Sequence, residues 1–441
     1  MRKNLFSSLF VFIPIFMVLV MRASLPNYSG MLPGFFIFML FEGYLWHSAR
    51  ETVNRLNPIL RASCMAVFWL PLALLPGMLV YGWYVPYITW NQPVRTYLQS
   101  FILVLFMAEL FPMLTLIAAD LVRLVRIIIN AVIPGRKISV RNIRRFKPLL
   151  RTGWIMGFLV FCLMIAGMVF WQFDFRVRKQ VIVLKELPPA FDGFKIVQFS
   201  DVHLGSWGCK RELQKAMDEI NSLNPDVIFF TGDMFNYCTA DGYGFEPELK
   251  TLHAPFGIYA IMGNHDYGDY INWSSPAAKK KNVEDLKLFY KNLGWKLLLN
   301  SNSLLKRGHD SIAVIGVENW GATKRFQRFG DIARAMHGTE GMAIQLLLSH
   351  DPSHWDSIVS KRYQNIDVTF AGHTHGGQAG IDCCGIHWSP VQWVSRFWCG
   401  LYRNPASPAP QYLYVNQGLG NIGYSGRIGI LPEITLITLK K

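Results

Sequence analysis

The sequence predicts a protein in two parts: a polytopic α-helical membrane region over residues 1–175, and an α/β domain over residues 180–441. Three observations predict this division. Long apolar segments occur only in the first part, short apolar runs that end in polar motifs occur in the second, and the basic charge is concentrated in the first. Segment length distinguishes bilayer-crossing helices from the buried strands of an α/β domain.

Five apolar segments in the first part are predicted to be membrane helices. They cover about Leu5 to Val20, Leu32 to Trp46, Met65 to Tyr84, Phe101 to Ala119 and Trp154 to Trp171, and each is near or above the ~17 to 25 residues that a crossing requires. The second segment is the weakest prediction because it is short and contains Glu42. A signal peptide is the alternative for the first, but no small-residue cleavage site follows it, so we expect a retained helix.

The basic residues between these segments predict the orientation. They occur at the N-terminus, in the second connection and most densely in the fourth, whereas the first and third connections contain only Arg22 and Arg95. Basic connections remain in the cytoplasm, so the N-terminus is predicted to be inside. Five crossings would then place the α/β domain outside the cytoplasm.

The positive net charge does not indicate nucleic-acid binding. The formal charge is +15, but residues 1–179 contain 19 Lys and Arg against 5 acidic residues, whereas residues 180–441 contain 25 against 24. Nucleic-acid binding requires a basic surface on the domain that binds. We therefore expect no nucleic-acid partner, and the partner that we expect for the first part is the membrane lipid.

Polar motifs follow five predicted strands in the second part. The strands are the apolar runs Phe194 to Phe199, Val227 to Thr231, Ile258 to Met262, Ile344 to Leu348 and Val368 to Ala371. The motifs are Asp201-Val202-His203, Gly232-Asp233, Gly263-Asn264-His265-Asp266, Ser349-His350 and Gly372-His373-Thr374-His375. Strand ends of this kind present polar side chains at the edge of a sheet, which is where α/β proteins keep their chemistry.

The residue types in these motifs predict a dinuclear metal site. Imidazole, carboxylate and amide ligands from five strand ends exceed what one zinc ion needs, and an aspartate among them can bridge two cations. Such ligands suit Mn, Fe, Co, Ni or Zn, and the absence of Cys from the motifs argues against a thiolate site. Paired divalent ions are typical of phosphoester and pyrophosphate hydrolysis.

The five motifs, in this order, resemble the calcineurin-like metallophosphoesterase superfamily. The sequence Gly372-His373-Thr374-His375-Gly376-Gly377-Gln378 and the segment Tyr414 to Gly420, followed by Pro432-Glu433-Ile434, are similar to one branch in particular. That branch contains membrane-associated bacterial phosphodiesterases and transmembrane proteins with a metallophosphoesterase domain. The resemblance covers Val181 to the C-terminus and implies a two-sheet β-sandwich flanked by helices. Gln417 departs from the pattern, because we expect Arg beside this turn.

The resemblance also implies a role for each motif residue. One metal ion would be held by Asp201, His203, Asp233 and His375, and the other by Asp233, Asn264, His350 and His373. Asp233 would bridge the two ions. His265 would assist the leaving oxygen, and Asp266 would orient His265.

We therefore expect a metal-dependent phosphohydrolase in a bacterial inner or plasma membrane, with an extracytoplasmic catalytic domain. Its substrate would be a phosphodiester or pyrophosphate, linked to a lipid or to the cell envelope. One alternative is a cytoplasmic-facing UDP-2,3-diacylglucosamine pyrophosphatase of lipid A synthesis, and another is a catalytically silent receptor or transport module. Cys209 and Cys238 each follow a ligand motif, so a disulfide between them is an option in an oxidising compartment.

Overall fold

A computed structural model of the chain describes residues 32–133, 138–323, 326–407 and 409–441. These residues form two compact units. The membrane unit contains Phe101–Leu163 and the described residues up to Trp90. The catalytic unit contains Met164–Lys441 and also the short segment Asn91–Ser100, which the sequence assigned to the membrane region.

The membrane unit is helical. Its helices are α1 (Leu32–Val53), α2 (Pro58–Tyr84), α3 (Gln92–Val132, which begins in the catalytic unit) and α4 (Lys147–Ala166), and α4 continues as a π-helical turn over Gly167–Trp171. The start of α2 is set locally, because Asn57 Oδ1 accepts a hydrogen bond from Leu60 N (2.9 Å) and Pro58 occupies the first turn.

Among the described residues, three helices are long and apolar enough to cross a bilayer: Pro58–Gly82, Gln92–Val132 and Lys147–Trp171. They contain the predicted fourth and fifth segments and all but the last two residues of the third. The second segment forms part of α1, which is 22 residues long but is not apolar enough to be among these three helices, in keeping with the presence of Glu42. The first segment lies outside the described residues, so a total of five crossings stays a prediction.

The catalytic unit contains fourteen strands among its described residues, and all five predicted strands are present, some of them shortened at an end. The strands are β1 (Arg176–Val183), β2 (Lys195–Phe199), β3 (Val227–Phe230), β4 (Ile258–Ala260), β5 (Lys296–Leu297), β6 (Ser301–Arg307), β7 (Asp310–Gly316), β8 (Gln345–Leu348), β9 (Val368–Ala371), β10 (Ile381–Cys383), β11 (Ile386–Trp388), β12 (Gly400–Arg403), β13 (Tyr412–Val415) and β14 (Glu433–Lys440).

Two mixed six-stranded sheets contain most of these strands. The first has the order β1-β14-β2-β3-β4-β5 and the second β12-β13-β9-β8-β7-β6, while β10 and β11 form a separate hairpin. Strands β2, β3 and β4 are parallel to one another, as are β7, β8, β9 and β13. Parallel strands direct their carboxyl ends to the same edge, so the predicted ligand motifs emerge together.

The sheets pack face to face between two helical layers, as the family resemblance implied. The inner core between the sheets includes Ile196, Phe229 and Tyr259 of the first sheet and Leu346 and Phe370 of the second, all almost fully buried. The outer faces pack against the helices of this unit: α5 (Lys210–Ser222), α6 (Glu246–Leu249), α7 (Pro276–Leu293), α8 (Ile332–Met336), α9 (Pro352–His354) and α10 (Ser360–Arg362). Strands buried on both faces read as continuous apolar runs, which is why the sequence revealed them.

Candidate metal centre

The ligand motifs converge at the carboxyl ends of β2, β3, β4, β8 and β9. The residues that the structure brings together there are Asp201, His203, Asp233, His265, His350, His373 and His375, which form three overlapping groups of potential ligand atoms within 4.8 Å of one another. The groups are Asp201, His203 and His375; His203, Asp233 and His265; and Asp233, His350 and His373. The first group holds three of the four residues expected at one ion, the third holds three of the four expected at the other, and Asp233 and His203 each belong to two groups.

The carboxylate of Asp233 lies at the centre of this arrangement. Its Oδ2 atom is 3.6 Å from His203 Nε2 and 3.1 Å from His350 Nε2. Its Oδ1 atom accepts a hydrogen bond from the backbone N–H of His265 (2.8 Å). One carboxylate oxygen therefore faces histidines of two groups, while the hydrogen bond to the other oxygen fixes the carboxylate plane.

The backbone at the site is strained. Asp201, His203, Asp233, His373 and His375 all have positive φ values, between 47° and 72°. Such values are rare for residues with a Cβ atom and cost about 1–3 kcal/mol each. The tight turns after the strands require them, because each turn must direct its side chain back over the sheet edge.

The histidine rings are held with one nitrogen toward the cluster. His203 Nδ1 donates to Phe235 O (3.1 Å) and His350 Nδ1 donates to Thr231 O (2.8 Å), so Nε2 of each ring faces Asp233. A backbone carbonyl on the far ring nitrogen is a common support for metal-binding histidine. Asn264 fits the same pattern, because its Nδ2 donates to Tyr270 Oη (2.7 Å) and its buried Oδ1 has no hydrogen-bond partner among the described residues.

Burial tunes these groups for cation binding. It lowers the pKa of His203 to about 3 and that of His375 well below its usual value, so both rings are neutral. Burial also lowers the pKa of His350, but the neighbouring Asp233 carboxylate outweighs that effect and raises this pKa to about 10. A proton on His350 and a divalent ion therefore compete for Asp233, and ion binding is coupled to proton release.

The structure corrects the role predicted for Asp266. Its carboxylate does not orient the ring of His265 but accepts backbone N–H groups of the strand-end turns: Gly263 (2.8 Å), Asp233 (2.9 Å), Met234 (2.9 Å) and Phe235 (3.3 Å). The His265 ring instead donates from Nδ1 to Asn236 O (2.7 Å) and stacks on Tyr270 at 4.0 Å. The carboxylate binds these turns and not the His265 ring because four backbone N–H groups converge on it. Asp266 thus fixes the loop that presents Asp233.

The loop after Asp233 is held by an ion pair that sequence reasoning missed. Arg95 Nη2 lies 2.7 Å from Asp241 Oδ1, and both side chains are buried. Asp241 Oδ2 in turn accepts a hydrogen bond from the backbone N–H of Tyr237 (2.8 Å). Tyr237 is two residues from Phe235, whose carbonyl oxygen accepts the hydrogen bond from His203. The pairing joins residues 146 positions apart, so no local pattern signals it.

A second unpredicted residue, Arg427, organises the turn after β13. Its guanidinium is fully buried and makes five hydrogen bonds of 2.5–3.1 Å, with acceptors Asn421 Oδ1, His375 O, Gln417 O, Gly418 O and Gly420 O. Position 417 is glutamine, and the donors of Arg427 are directed to four backbone carbonyls and to the Asn421 side chain. A single basic residue in the glycine-rich segment 418–430 was the available signal.

That turn packs directly on the ligand strand, so only glycine fits. A Cβ at Gly420 would lie 1.9 Å from Val202 O, and a Cβ at Gly418 would lie 2.7 Å from the Cβ of Asp201. In addition, Ser200 Oγ hydrogen-bonds the Asp201 carboxylate and Asn416 Oδ1. The turn after β13 thus packs against Asp201 and fixes its position. Cys209 and Cys238, considered above as a disulfide, are both free.

Comparison with known proteins identifies the family. Residues 194–377 match the family model described as calcineurin-like phosphoesterase. An uncharacterized metallophosphoesterase of Bacillus subtilis (strain 168) is 31% identical over 258 residues, which are 58% of this chain and 82% of that protein. The chain belongs to the calcineurin-like metallophosphoesterases. It is a metal-dependent phosphoester hydrolase.

Two other relatives have more specific names. A zebrafish (Danio rerio) protein named transmembrane protein with metallophosphoesterase domain is 30% identical, and the match covers 59% of this chain and 56% of that protein. The UDP-2,3-diacylglucosamine pyrophosphatase LpxG of Chlamydia trachomatis is 28% identical, with 53% of this chain and 81% of that protein covered. The chain therefore spans little more than half the length of the zebrafish relative.

Proposed function

We propose that this protein is a membrane-bound hydrolase that uses two divalent metal ions to cleave a phosphodiester or pyrophosphate bond in a lipid- or envelope-linked substrate. The observation that carries the proposal is the position of Asp233 Oδ2 between His203 and His350. In this proposal Asp201, His203, Asp233 and His375 hold one ion, and Asp233, Asn264, His350 and His373 hold the other. Bound there, the pair would supply Lewis acidity for the transfer of a phosphoryl group to water.

The protein's own groups support the rest of the chemistry. His265 Nδ1 donates to Asn236 O, and in this proposal Nε2 of the same ring exchanges a proton with the substrate. A protonated ring would give that proton to the departing oxygen and would neutralise its charge. Stacking on Tyr270 keeps the ring in one orientation. Asp266 positions both the Asp233 turn and the turn that begins at Gly263.

Metal removal and replacement tests the proposed chemistry. We expect the full chain in detergent to lose hydrolysis of bis(p-nitrophenyl) phosphate after treatment with EDTA and to recover it with Mn, Fe(II), Co, Ni or Zn, at two ions per chain. Recovery should need more metal at lower pH, since the ions displace the proton on His350. Hydrolysis that survives complete metal removal, or full recovery with one ion per chain, would contradict the proposal.

We also propose that the catalytic unit faces away from the cytoplasm. Residues Asn91–Ser100 belong to the catalytic unit, which supports placing the connection between α2 and α3 on the catalytic side. Arg95 is the basic residue near this connection, and it is buried in its ion pair with Asp241. The connection between α3 and α4 contains Arg136, Lys137, Arg141, Arg144 and Arg145. Basic residues favour the cytoplasm, so this asymmetry supports an extracytoplasmic catalytic unit.

Cysteine labelling tests this orientation. In a background without the seven natural cysteines, we expect Lys306→Cys in the catalytic unit to react with a membrane-impermeant maleimide on intact spheroplasts. The matched control, Asn142→Cys between α3 and α4, should react only after lysis. Both positions are exposed, so access to the reagent depends on the membrane alone. The reverse pattern would place the catalytic unit in the cytoplasm.

The similarity to LpxG favours one second candidate. A cytoplasmic catalytic unit that cleaves UDP-2,3-diacylglucosamine would use the same site, and it requires the opposite orientation because nucleotide-linked lipid precursors are cytoplasmic. Release of UMP from that substrate, together with the reversed labelling pattern, would support it. A catalytically silent receptor is disfavoured by the complete set of ligand side chains.

A further inference from the structure

The β10–β11 hairpin and the turn that follows it, near the proposed metal centre, expose several apolar side chains. Trp393 and Val394 are 74% and 87% exposed, and Ile381, Ile386 and Trp388 are 44%, 54% and 38% exposed. The Trp388 and Trp393 rings contact each other with centroids 5.9 Å apart. These five residues are called the 381–394 patch. Single exposed apolar residues are ordinary, but contiguous ones mark interaction surfaces.

The patch adjoins the ligand turn. A Cβ at Gly377 would lie 2.6 Å from Ser389 Oγ and 3.0 Å from Val391 Cβ, so the segment that carries the patch packs against the turn after His375. Ser389 Oγ also donates to Ala379 O (2.9 Å). A molecule bound to the patch would therefore lie close to the turn that follows the proposed metal ligand His375.

The end of a candidate membrane helix lies close to the base of this hairpin, and both belong to the catalytic unit. Tyr424 Oη hydrogen-bonds Met164 O, and Arg427 N donates to Gly167 O (3.3 Å). Residues 164–171 are the last turns of the span Lys147–Trp171. The segment 424–428 thus contacts the last turns of this candidate span, which ends at Trp171, and aromatic residues favour the ends of membrane-crossing helices.

The base of the hairpin lies one strand spacing from the segment 424–428. Gly380 N donates to Ile428 O (2.8 Å), and Ala379 and Ile428 form a bridge, so the chain enters β10 about 5 Å from the segment that contacts the membrane helix. The stem of the hairpin is anchored to the body of the domain, since Asp382 pairs with Arg178 and lies 2.6 Å from His387 Nδ1. The apolar side chains of the patch are thus carried by a fixed support.

We propose that the 381–394 patch inserts into the interfacial layer of the membrane and places the metal centre at the level of lipid phosphates. The proposal rests on membrane attachment, which is part of the proposed function. Tryptophan and aliphatic side chains on a supported hairpin partition into this layer. Arg396 lies two residues from Val394, and its side chain is 78% exposed although its Nη1 is 3.8 Å from Asp356 Oδ1, so it can also contact anionic headgroups. Insertion would bring a lipid-linked phosphoester to the site without its leaving the bilayer.

Lipid quenching of a fluorophore tests this insertion. The full chain with Val394→Cys, in a background without natural cysteines, is labelled with an environment-sensitive nitrobenzoxadiazole and placed in phosphatidylcholine/phosphatidylglycerol vesicles. We expect a blue-shifted emission and at least twofold quenching by lipids with a nitroxide near the headgroup. The matched control is Leu288→Cys on α7, which is apolar and 52% exposed, and it should show neither effect.

Three outcomes decide the proposal. Quenching at position 394 well above that at position 288 supports it. Equal and weak quenching at both positions overturns it. A blue shift that depends on protein concentration and not on the nitroxide lipid also overturns it, because a second copy of the chain would then cover the patch. Hydrolysis of bis(p-nitrophenyl) phosphate by the same labelled proteins shows that they are folded, and it separates a failure of docking from a failure of the proposed chemistry.

Discussion

Replacing Asp233 by asparagine is expected to abolish hydrolysis, with kcat falling on the order of 10³-fold or more. The substitution preserves the volume of the side chain but removes the negative charge that faces His203 and His350 through one oxygen. Both proposed ion sites would lose a ligand at once, so bound metal should fall from two ions per chain to one or none. The measurements are kcat with bis(p-nitrophenyl) phosphate and metal content by inductively coupled plasma mass spectrometry.

His265→Asn provides the matched comparison. It should keep both ions, because His265 is proposed to act on the substrate and not on the metals. Its rate should fall by about 10²–10⁴ for poor leaving groups and much less for p-nitrophenolate, which departs without a proton. If His265→Asn lost metal as Asp233→Asn does, His265 would be a ligand, in keeping with its place in one of the three groups. An Asp233→Asn variant with two ions and near-normal kcat would disprove the bridging role.

Replacing Arg427 by methionine is expected to destabilise the catalytic unit by about 3–5 kcal/mol, because five buried acceptors would lose their donor in one step. Burial lowers the pKa of Arg427 to about 10, so the side chain is still charged at neutral pH. Arg427→Lys should restore little, since one ammonium group has three donors and lacks the planar fork of a guanidinium.

Thermal unfolding of the full chain in detergent, followed by tryptophan fluorescence, measures this effect. Arg403→Met is the matched control, because Arg403 is exposed on β12 and should change stability by less than about 0.5 kcal/mol. Metal affinity should fall together with stability in Arg427→Met, since the guanidinium holds the carbonyl of the proposed ligand His375. Equal unfolding temperatures for the two variants would show that the turn does not depend on Arg427.

The contrast between Asp201 and Asp266 shows how far local sequence reaches. Asp201 directly follows a buried strand, so its place at the sheet edge could be predicted from the apolar run alone. The same reasoning placed Asp266 at that edge. The partner that the family resemblance implied for Asp266, the ring of His265, was wrong. Its acceptors are filled by N–H groups of Gly263 and of the turn after β3, and which donors are nearest depends on how two neighbouring turns pack.

By itself the sequence determined the two-part architecture, the five ligand-bearing strands and the candidate ligands, because a buried strand or an apolar helix and the polar residue after it are written contiguously. Only the tertiary structure decided that Arg95, in the first turn of α3, pairs with Asp241, and that Arg427 holds the turn that packs on Asp201. It also decided that the base of the β10–β11 hairpin pairs with the segment that contacts the end of a candidate membrane helix. Each of these contacts joins groups that are brought together only when the chain folds. A buried charge requires a partner that is near in space, and the sequence does not show which residue that will be.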